Sequence, residues 1–414
     1  MTRLSAILIA VAGLVLLPGN AGAQSANAPS SIYTPKTQPQ PQPLRVEVID
    51  GKGLTVYPGL VDLDAHVGLE APTREQPKNP DSREVIERWR RDELLHPQWT
   101  AAEQLRADNS DLTKLAAAGV TNALVVPDGD GVAGESAFVD VVAPELDPQY
   151  GRVAVEPEGH MILRTPVALH VAFPAPRGFG GAYPASLMGG IAFVRQAFLD
   201  AKRYQIAQAS PDAAGDRPAY DPALATMARA FEAKLPVVFQ ADSARQIRRV
   251  LKFAREFSLD PIVLAGYGAT DTAAELKAAG ARVIVNMDYP DRPKWLAPDA
   301  DEPLEEVEAR SNARKAAAAL AAAGVPFGFG SAGLKDVGAF LPNVRAAVDQ
   351  GGLPPEAALK ALTLDAATLA GVGRRLGAIE RGRTANLVVT DGDVLAAKTR
   401  VKYVFVEGRR VVLP

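Results

Sequence analysis

Histidine is scarce in this chain, and its positions limit the chemistry available. The imidazoles are His66, His96, His160 and His170, with none after residue 170. Cysteine is absent, which excludes thiolate metal ligands, a Cys nucleophile and disulfides. The most suggestive spacing is Asp64-Ala65-His66. Residues two apart on a β-strand face the same side, so this carboxylate and imidazole point together. Such a pair can ligate a divalent cation, or the Asp can orient the His for general acid–base catalysis. No nucleophile stands beside it for the second reaction. Ser331 lies in Gly330-Ser331-Ala332-Gly333, which lacks the Gly-x-Ser-x-Gly elbow. The plainer reading is a hydrogen-bonded Asp–His pair with no further task.

The other histidines carry less. His96 sits in a loop-like Leu95-His96-Pro97-Gln98-Trp99, where it packs beside Trp99. His160 follows Glu156-Pro157-Glu158-Gly159 and suits an exposed turn. His170 closes the apolar run Val167-Ala168-Leu169 and reads as a satisfied strand residue.

These residues need a scaffold, and the hydrophobic pattern supplies one. Strand-sized apolar runs occur at 60–64, 122–126, 167–171, 236–241, 262–264, 282–286 and 327–331. Helix-periodic segments separate them at 187–204, 223–233, 243–257, 272–279 and 312–323. This alternation predicts parallel βα units, close to eight in number, and favours a closed barrel over an open sheet. Residues 70–110 and 287–309 are rich in charge and proline and predict loops or short helices over one barrel end. The tail differs: short β-runs at 385–389, 401–406 and 408–412 have no helices between them. With the β-like stretch 44–56 they predict a small β domain built from both ends of the chain.

Arg3, the apolar run Leu4–Leu17 and Ala21-Gly22-Ala23 form a signal-peptide pattern with cleavage after Ala23. Residues 24–43 are a Pro/Gln-rich linker. A periplasmic or secreted protein is expected, with no integral membrane segment after cleavage. The 48 acidic against 45 basic residues leave a net charge of −3 and no basic cluster, so nucleic acid is not an expected partner.

Three segments resemble the amidohydrolase superfamily, most closely its imidazolonepropionase-like branch. They are Val56-Tyr57-Pro58-Gly59-Leu60-Val61-Asp62, the Ala118-Gly119-Val120-Thr121 turn within 114–127, and 362–412 with its "LGAIERGRTANLVVTDGD" stretch. The resemblance implies an α/β fold: a (β/α)8 TIM-like barrel over 58–375, with a composite β domain from 44–57 and 376–414. It also implies hydrolysis by one or two divalent metals at the barrel mouth, where the metal activates water and polarises the carbonyl. The family's ligands come from a His-x-His on strand one, a Lys or Glu on strand four, a His each on strands five and six, and an Asp on strand eight.

This chain departs from that set. Asp64 replaces the first His and His66 keeps the second; Gln240 stands on strand five, Leu264-Ala265-Gly266-Tyr267-Gly268 holds no His, and Ala332 replaces the Asp. Alanine neither ligates nor moves a proton, and a neutral amide is a poor zinc ligand. No confident catalytic residue follows. Asp64, His66, Gln240, Asp242 and Ser331 are expected to line a binding cleft, with a residual zinc site at Asp64 and His66 as the remaining metal reading; no cofactor is expected. Residues 129–135 resemble a flexible acidic family loop near the site, and Arg195 is either a substrate carboxylate clamp or part of a solvated helix face. The expected role is a degenerate amidohydrolase-like subunit that binds a ligand or a partner, as a homo-oligomer or with an active paralogue. The alternative is a working carbon–nitrogen hydrolase whose unorthodox site uses Asp64, His66, Gln240 and Asp242.

Overall fold

A computed structural model describes residues 49–70, 72, 82–142, 161–174, 183–209, 217–231, 234–294, 296–297 and 299–413. The chain divides into two units, 1–50 and 51–414. The signal segment, the linker, residues 44–48 and His160 lie outside the described residues.

Strands β1 (Thr55–Pro58), β2 (Leu60–Ala65), β3 (Val120–Val125), β4 (Gly131–Glu135), β5 (Ala137–Asp140), β6 (Ile162–Arg164) and β7 (Leu169–Ala172) make up the first half. Strands β8 (Val237–Ala241), β9 (Pro261–Ala265), β10 (Arg282–Asn286) and β11 (Phe327–Gly330) follow. Strands β12 (Leu387–Thr390), β13 (Val401–Val406) and β14 (Arg409–Arg410) close the chain. Strands β7 to β11 pair in parallel in sequence order, and β2 pairs in parallel with β3.

The staves alternate their side chains between two buried layers. On β10, Val283 and Val285 belong to the layer shared with the helices, while Ile284 joins Val238, Ile262 and Leu264 in the inner cluster. Both faces are apolar because both are covered, as parallel sheets require.

The third stave departs from the expected parallel order. Strand β5 runs antiparallel to β3, and β4 runs antiparallel to β7. Residues 131–140 therefore form one extended segment, jointed at Ser136, that points opposite to its neighbours. At the joint the Ser136 N–H donates to the Ala168 carbonyl at 2.9 Å, and the Val167 N–H donates to the Ser136 carbonyl at 2.9 Å. The expected flexible loop at 129–135 is thus corrected: Gly131–Glu135 is a buried strand. Glycine makes this possible. Gly131 has φ +75 and Gly134 has φ +133, and a Cβ there would lie 2.1 Å from the Leu94 carbonyl oxygen and 2.5 Å from that of Trp99.

The last stave meets the first without a shared ladder. A Cβ on Gly328 would lie 2.5 Å from Leu63, and one on Gly330 2.7 Å from the Asp64 Cβ. Two glycines thus let β11 press directly against β2.

Helices α1 (Arg83–Leu94), α2 (Ala101–Gln104) and α3 (Ser110–Ala117) precede β3. Helices α4 (Leu187–Ala209) and α5 (Pro222–Ala228) lie between β7 and β8, and α6 (Ala244–Phe257) follows β8. Helix α6 starts on a Ser243–Gln246 capping box and ends at Ser258 in the left-handed region. It buries Ile247, Val250, Leu251, Phe253, Ala254 and Phe257 at helical spacing, with the Phe253 ring against Phe173, Phe198, Phe239 and Phe257. Helices α7 (Ala269–Ala278) and α8 (Leu304–Ala323) continue the ring. Residues 304–309, expected as loop or short helix, are the first turns of α8. Helices α9 (Phe340–Asp349), α10 (Pro355–Leu362) and α11 (Leu364–Leu369) complete it.

Strands β1, β12, β13 and β14 form the composite antiparallel sheet. It joins the barrel through Asn386, whose Nδ2 donates to Asn122 Oδ1 at 2.9 Å and Asp140 Oδ1 at 2.8 Å. Among the described residues no helix is long and apolar enough to cross a membrane.

Candidate functional site

The carboxyl ends of β2 and β8 to β11 open on one cleft of about 1410 Å³. Because the third stave is reversed, its entry at Gly129 and Asp130 opens on the same cleft. Trp89, Arg90, Glu93 and Leu94 of α1, with Trp99, form one wall. The expectation that 70–110 and 287–309 lie over one barrel end is met by their described residues at this cleft, which Asp288, Pro290 and Glu305 also line. The 95–100 segment is held in place, since the His96 N–H donates to the Val132 carbonyl at 2.8 Å and the Glu135 N–H to the Trp99 carbonyl at 2.7 Å. His96 stacks on Trp99 with ring centroids 4.1 Å apart, as its sequence neighbourhood suggests.

Below the cleft lies a chamber of about 40 Å³ lined by Asp64, His66, His170 and Gln240 among others. His66, Gly129, Gln240 and Leu264 line both spaces, so the chamber is the floor of the cleft. His66 places Nε2 3.6 Å from Asp64 Oδ1 and Nδ1 3.7 Å from Asp128 Oδ1. These are ion-pair separations, too long for hydrogen bonds. The expected hydrogen-bonded Asp–His pair is corrected accordingly: Asp64 is fully buried, and neither of its carboxylate oxygens accepts a hydrogen bond. Burial lifts its carboxyl to about 6 against the pull of His66, with Asp62 adding to the rise. Asp62 is buried too, and its carboxyl is also raised to about 6 by burial, but its Oδ1 accepts the N–H groups of Asp64 at 3.1 Å and Ser331 at 3.0 Å. His170 Nε2 has no hydrogen-bond partner, and burial holds this imidazole neutral, its pKa pushed down to about 3.

Higher in the cleft, Asp242 is mostly buried at the start of the turn into α6. Burial, with the nearby Asp288, raises its carboxyl above the usual range. Gln240 and Asn286, at the ends of β8 and β10, and Ala332, two residues beyond β11, line the same cleft.

A model of the Amidohydrolase family matches residues 197–411, just over half of the chain. The chain belongs to the amidohydrolase family. The crystal structure of an amidohydrolase from Thermotoga maritima MSB8 is similar in fold, at 22% identity, with 92% of each chain covered and a TM-score of 0.70. A crystal structure of a prolidase complexed with N-methylphosphonate-L-proline overlaps less well, at 20% identity, 90% of this chain, 91% of that chain and a TM-score of 0.49. No curated protein matches the chain.

The metal centre implied for an amidohydrolase does not fit the residues present. Ala332 offers a methyl group just beyond β11, Gly266 and Tyr267 follow β9, and Gln240 offers an amide from β8. Among the described residues no group of three or more His, Asp or Glu side chains is arranged to hold a metal ion. Asp64 and His66 are brought together, with Gln240 beside them.

Asp242 lines the cleft but not the chamber, and Ser331 lines neither; it is buried, with its N–H on Asp62. Arg195, considered as a carboxylate clamp, pairs with Glu256 of α6 at 2.9 Å on the outer surface. His170, read from sequence as a satisfied strand residue, is corrected: it lines the chamber with an unpartnered Nε2. The residues missed from sequence are Asp128 and Asp288, isolated acids in loops that carry no spacing signal, so only the fold could bring them to the cleft.

Proposed function

We propose that this amidohydrolase, of the imidazolonepropionase-like branch, binds a ligand in its barrel mouth and has lost the family's metal-dependent hydrolysis. The observation that carries this reading is Ala332. It stands just beyond β11 on the cleft wall, where the resemblance calls for the Asp that ligates metal and transfers the proton. The strand residues beside it, Asn286 and Gln240, are neutral amides, which neither carry charge nor act as bases at neutral pH; the carboxylate that approaches Gly333, Asp288, is exposed and comes from the loop after β10, not from the strand-eight position. Export to the periplasm and assembly as a homo-oligomer or with an active amidohydrolase paralogue complete the proposal. They are supported by the leader pattern at 1–23 and by the tendency of such scaffolds to form symmetric oligomers.

Elemental analysis of purified protein, joined to hydrolysis assays on dipeptides and acylated amino acids, tests the reading. The expected result is substoichiometric zinc and no turnover, with or without added divalent metal. Stoichiometric zinc together with chelator-sensitive turnover overturns it.

A second reading is favoured by one observation, the unpartnered oxygens of Asp64 beside the unpartnered Nε2 of His170. In that reading the chamber residues Asp64, His66 and Gln240, with Asp242 from the cleft above, form a working carbon–nitrogen hydrolase site with a residual cation. It requires activity that disappears in His66→Ala.

A further inference from the structure

The cleft is lopsided in charge. Asp128, Asp130, Asp242, Asp288 and Glu305 line it, and among the described residues the one ammonium or guanidinium group in its lining is Arg90, whose Nη1 pairs with Glu93. At its floor Asp64 is fully buried, lines the chamber, and accepts no hydrogen bond at either oxygen. A buried carboxylate left in this condition is costly unless a cation or several donors reach it.

Three physical facts narrow what would satisfy it. The carboxylates are dispersed, since no three acids or histidines among the described residues converge as a metal ion requires. The chamber of about 40 Å³ holds a group the size of one ammonium or one water. The cleft above it, about 1410 Å³, exceeds the ~300–1,000 Å³ common for small-ligand pockets. A primary ammonium carries three donors and no acceptor. That matches the two Asp64 oxygens and the acceptor nitrogen that a neutral imidazole at His170 can present. Trp89 and Trp99 also line the wall, Trp99 with one face stacked on His96, and indole rings attract organic cations.

We propose that the barrel mouth binds an extended aliphatic polycation, one terminal ammonium seated in the Asp64 chamber and further ammonium groups paired with Asp242 and Asp288. The inference rests on the ligand-binding reading above and gives that ligand a chemical class. Ammonium groups spaced along a flexible chain occur in free polyamines and in lysine-rich peptides, and the two sources are separable by experiment.

The test is titration calorimetry on the full protein with spermidine, trilysine, a monoamine and fully acetylated spermidine, at low and at 0.5 M salt. Spermidine or trilysine is expected to bind, the acetylated compound not to bind, and high salt to weaken the complex. Whichever of the two binds more tightly identifies the source. Asp64→Asn and Asp242→Asn are each expected to weaken binding about tenfold or more, the loss of one charged hydrogen-bonded contact. Asp288→Asn, at an exposed position, covers the case in which a buried variant fails to fold. Glu356→Gln, an exposed carboxylate outside the cleft, is expected to bind as the parent does. Equal binding by the acetylated compound, indifference to all three cleft variants, or no binding by either polycation overturns the proposal. Binding of an acyl amino acid, an anion at neutral pH, in its place overturns it while leaving the ligand-binding reading intact. Zinc-dependent turnover defeats that reading without touching the amine result.

Discussion

The backbone N–H of Ser331, just beyond the last stave, donates to Asp62 Oδ1 in the first stave at 3.0 Å. The same oxygen accepts the Asp64 N–H at 3.1 Å. One buried carboxylate oxygen therefore ties together the two staves that share no ladder.

Asp62→Ala removes that acceptor and leaves two buried N–H groups unsatisfied. The expected loss is about 2–5 kcal/mol of unfolding free energy at neutral pH. Asp62→Asn keeps an acceptor oxygen and is expected to lose far less. Urea denaturation of the two variants side by side checks this, and equal losses would show that the tie is not what matters.

Asp64 gives a pH prediction with a definite sign. Its folded-state pKa is raised to about 6 from 3.8. The unfolded chain therefore releases this proton more readily, and the penalty is fully present above about pH 6. Acidification from pH 7 removes it progressively, until below 3.8 both states are protonated. Asp64→Asn is expected to be more stable than the parent by roughly 1–3 kcal/mol at pH 7, with the gap closing by pH 4. His170 works in the opposite direction. Its pKa is depressed from 6.5 to about 3, so the stability it contributes is present above 6.5 and is lost as pH falls towards 3. Denaturation midpoints of Asp64→Asn and His170→Gln across pH 4 to 8 separate the two effects.

Gly131→Ala tests the reversed stave. Its φ of +75 and the 2.1 Å approach of the Leu94 carbonyl to a Cβ leave no room for a methyl group. A loss of at least about 2–3 kcal/mol is expected, from strain plus displacement of the backbone. Hydrogen exchange is expected to rise at His96 and Glu135, whose N–H groups tie this stave to the 95–100 wall. A variant as stable as the parent would contradict this account of the stave.

Asn386→Ala tests the joint between barrel and composite sheet. Beyond its two donations, Asn386 Oδ1 accepts the Glu407 N–H at 2.7 Å. Its loss leaves Asp140 with Asn122 Nδ2, at 2.7 Å, as its remaining side-chain donor. Burial already lifts the Asp140 carboxyl to about 7, and loss of this donor moves it higher. A cost of about 3–5 kcal/mol is expected, read as a lowered midpoint in thermal unfolding.

Much of this was legible in the residues themselves. The strands at 236–241, 262–264 and 282–286 were marked by apolar runs, because staves covered on both faces must be apolar throughout. The apolar periodicity over 243–257 marked α6, which runs Ala244–Phe257. The dismantled ligand set was an inventory matter: with no histidine after residue 170, no arrangement of the chain restores two missing imidazoles. Direction and convergence were not legible. Hydrophobic period is the same whichever way a strand runs, so Gly131–Glu135, broken by glycines and edged with acids, read as loop. Tertiary pairing made it a stave of opposite sense. The link of Asp64 and His66 to each other is a matter of two-residue spacing, set locally. Their meeting with His170 and Gln240 around one unsatisfied carboxylate depends on strands distant in sequence arriving at one barrel end, and only the packed fold decides that.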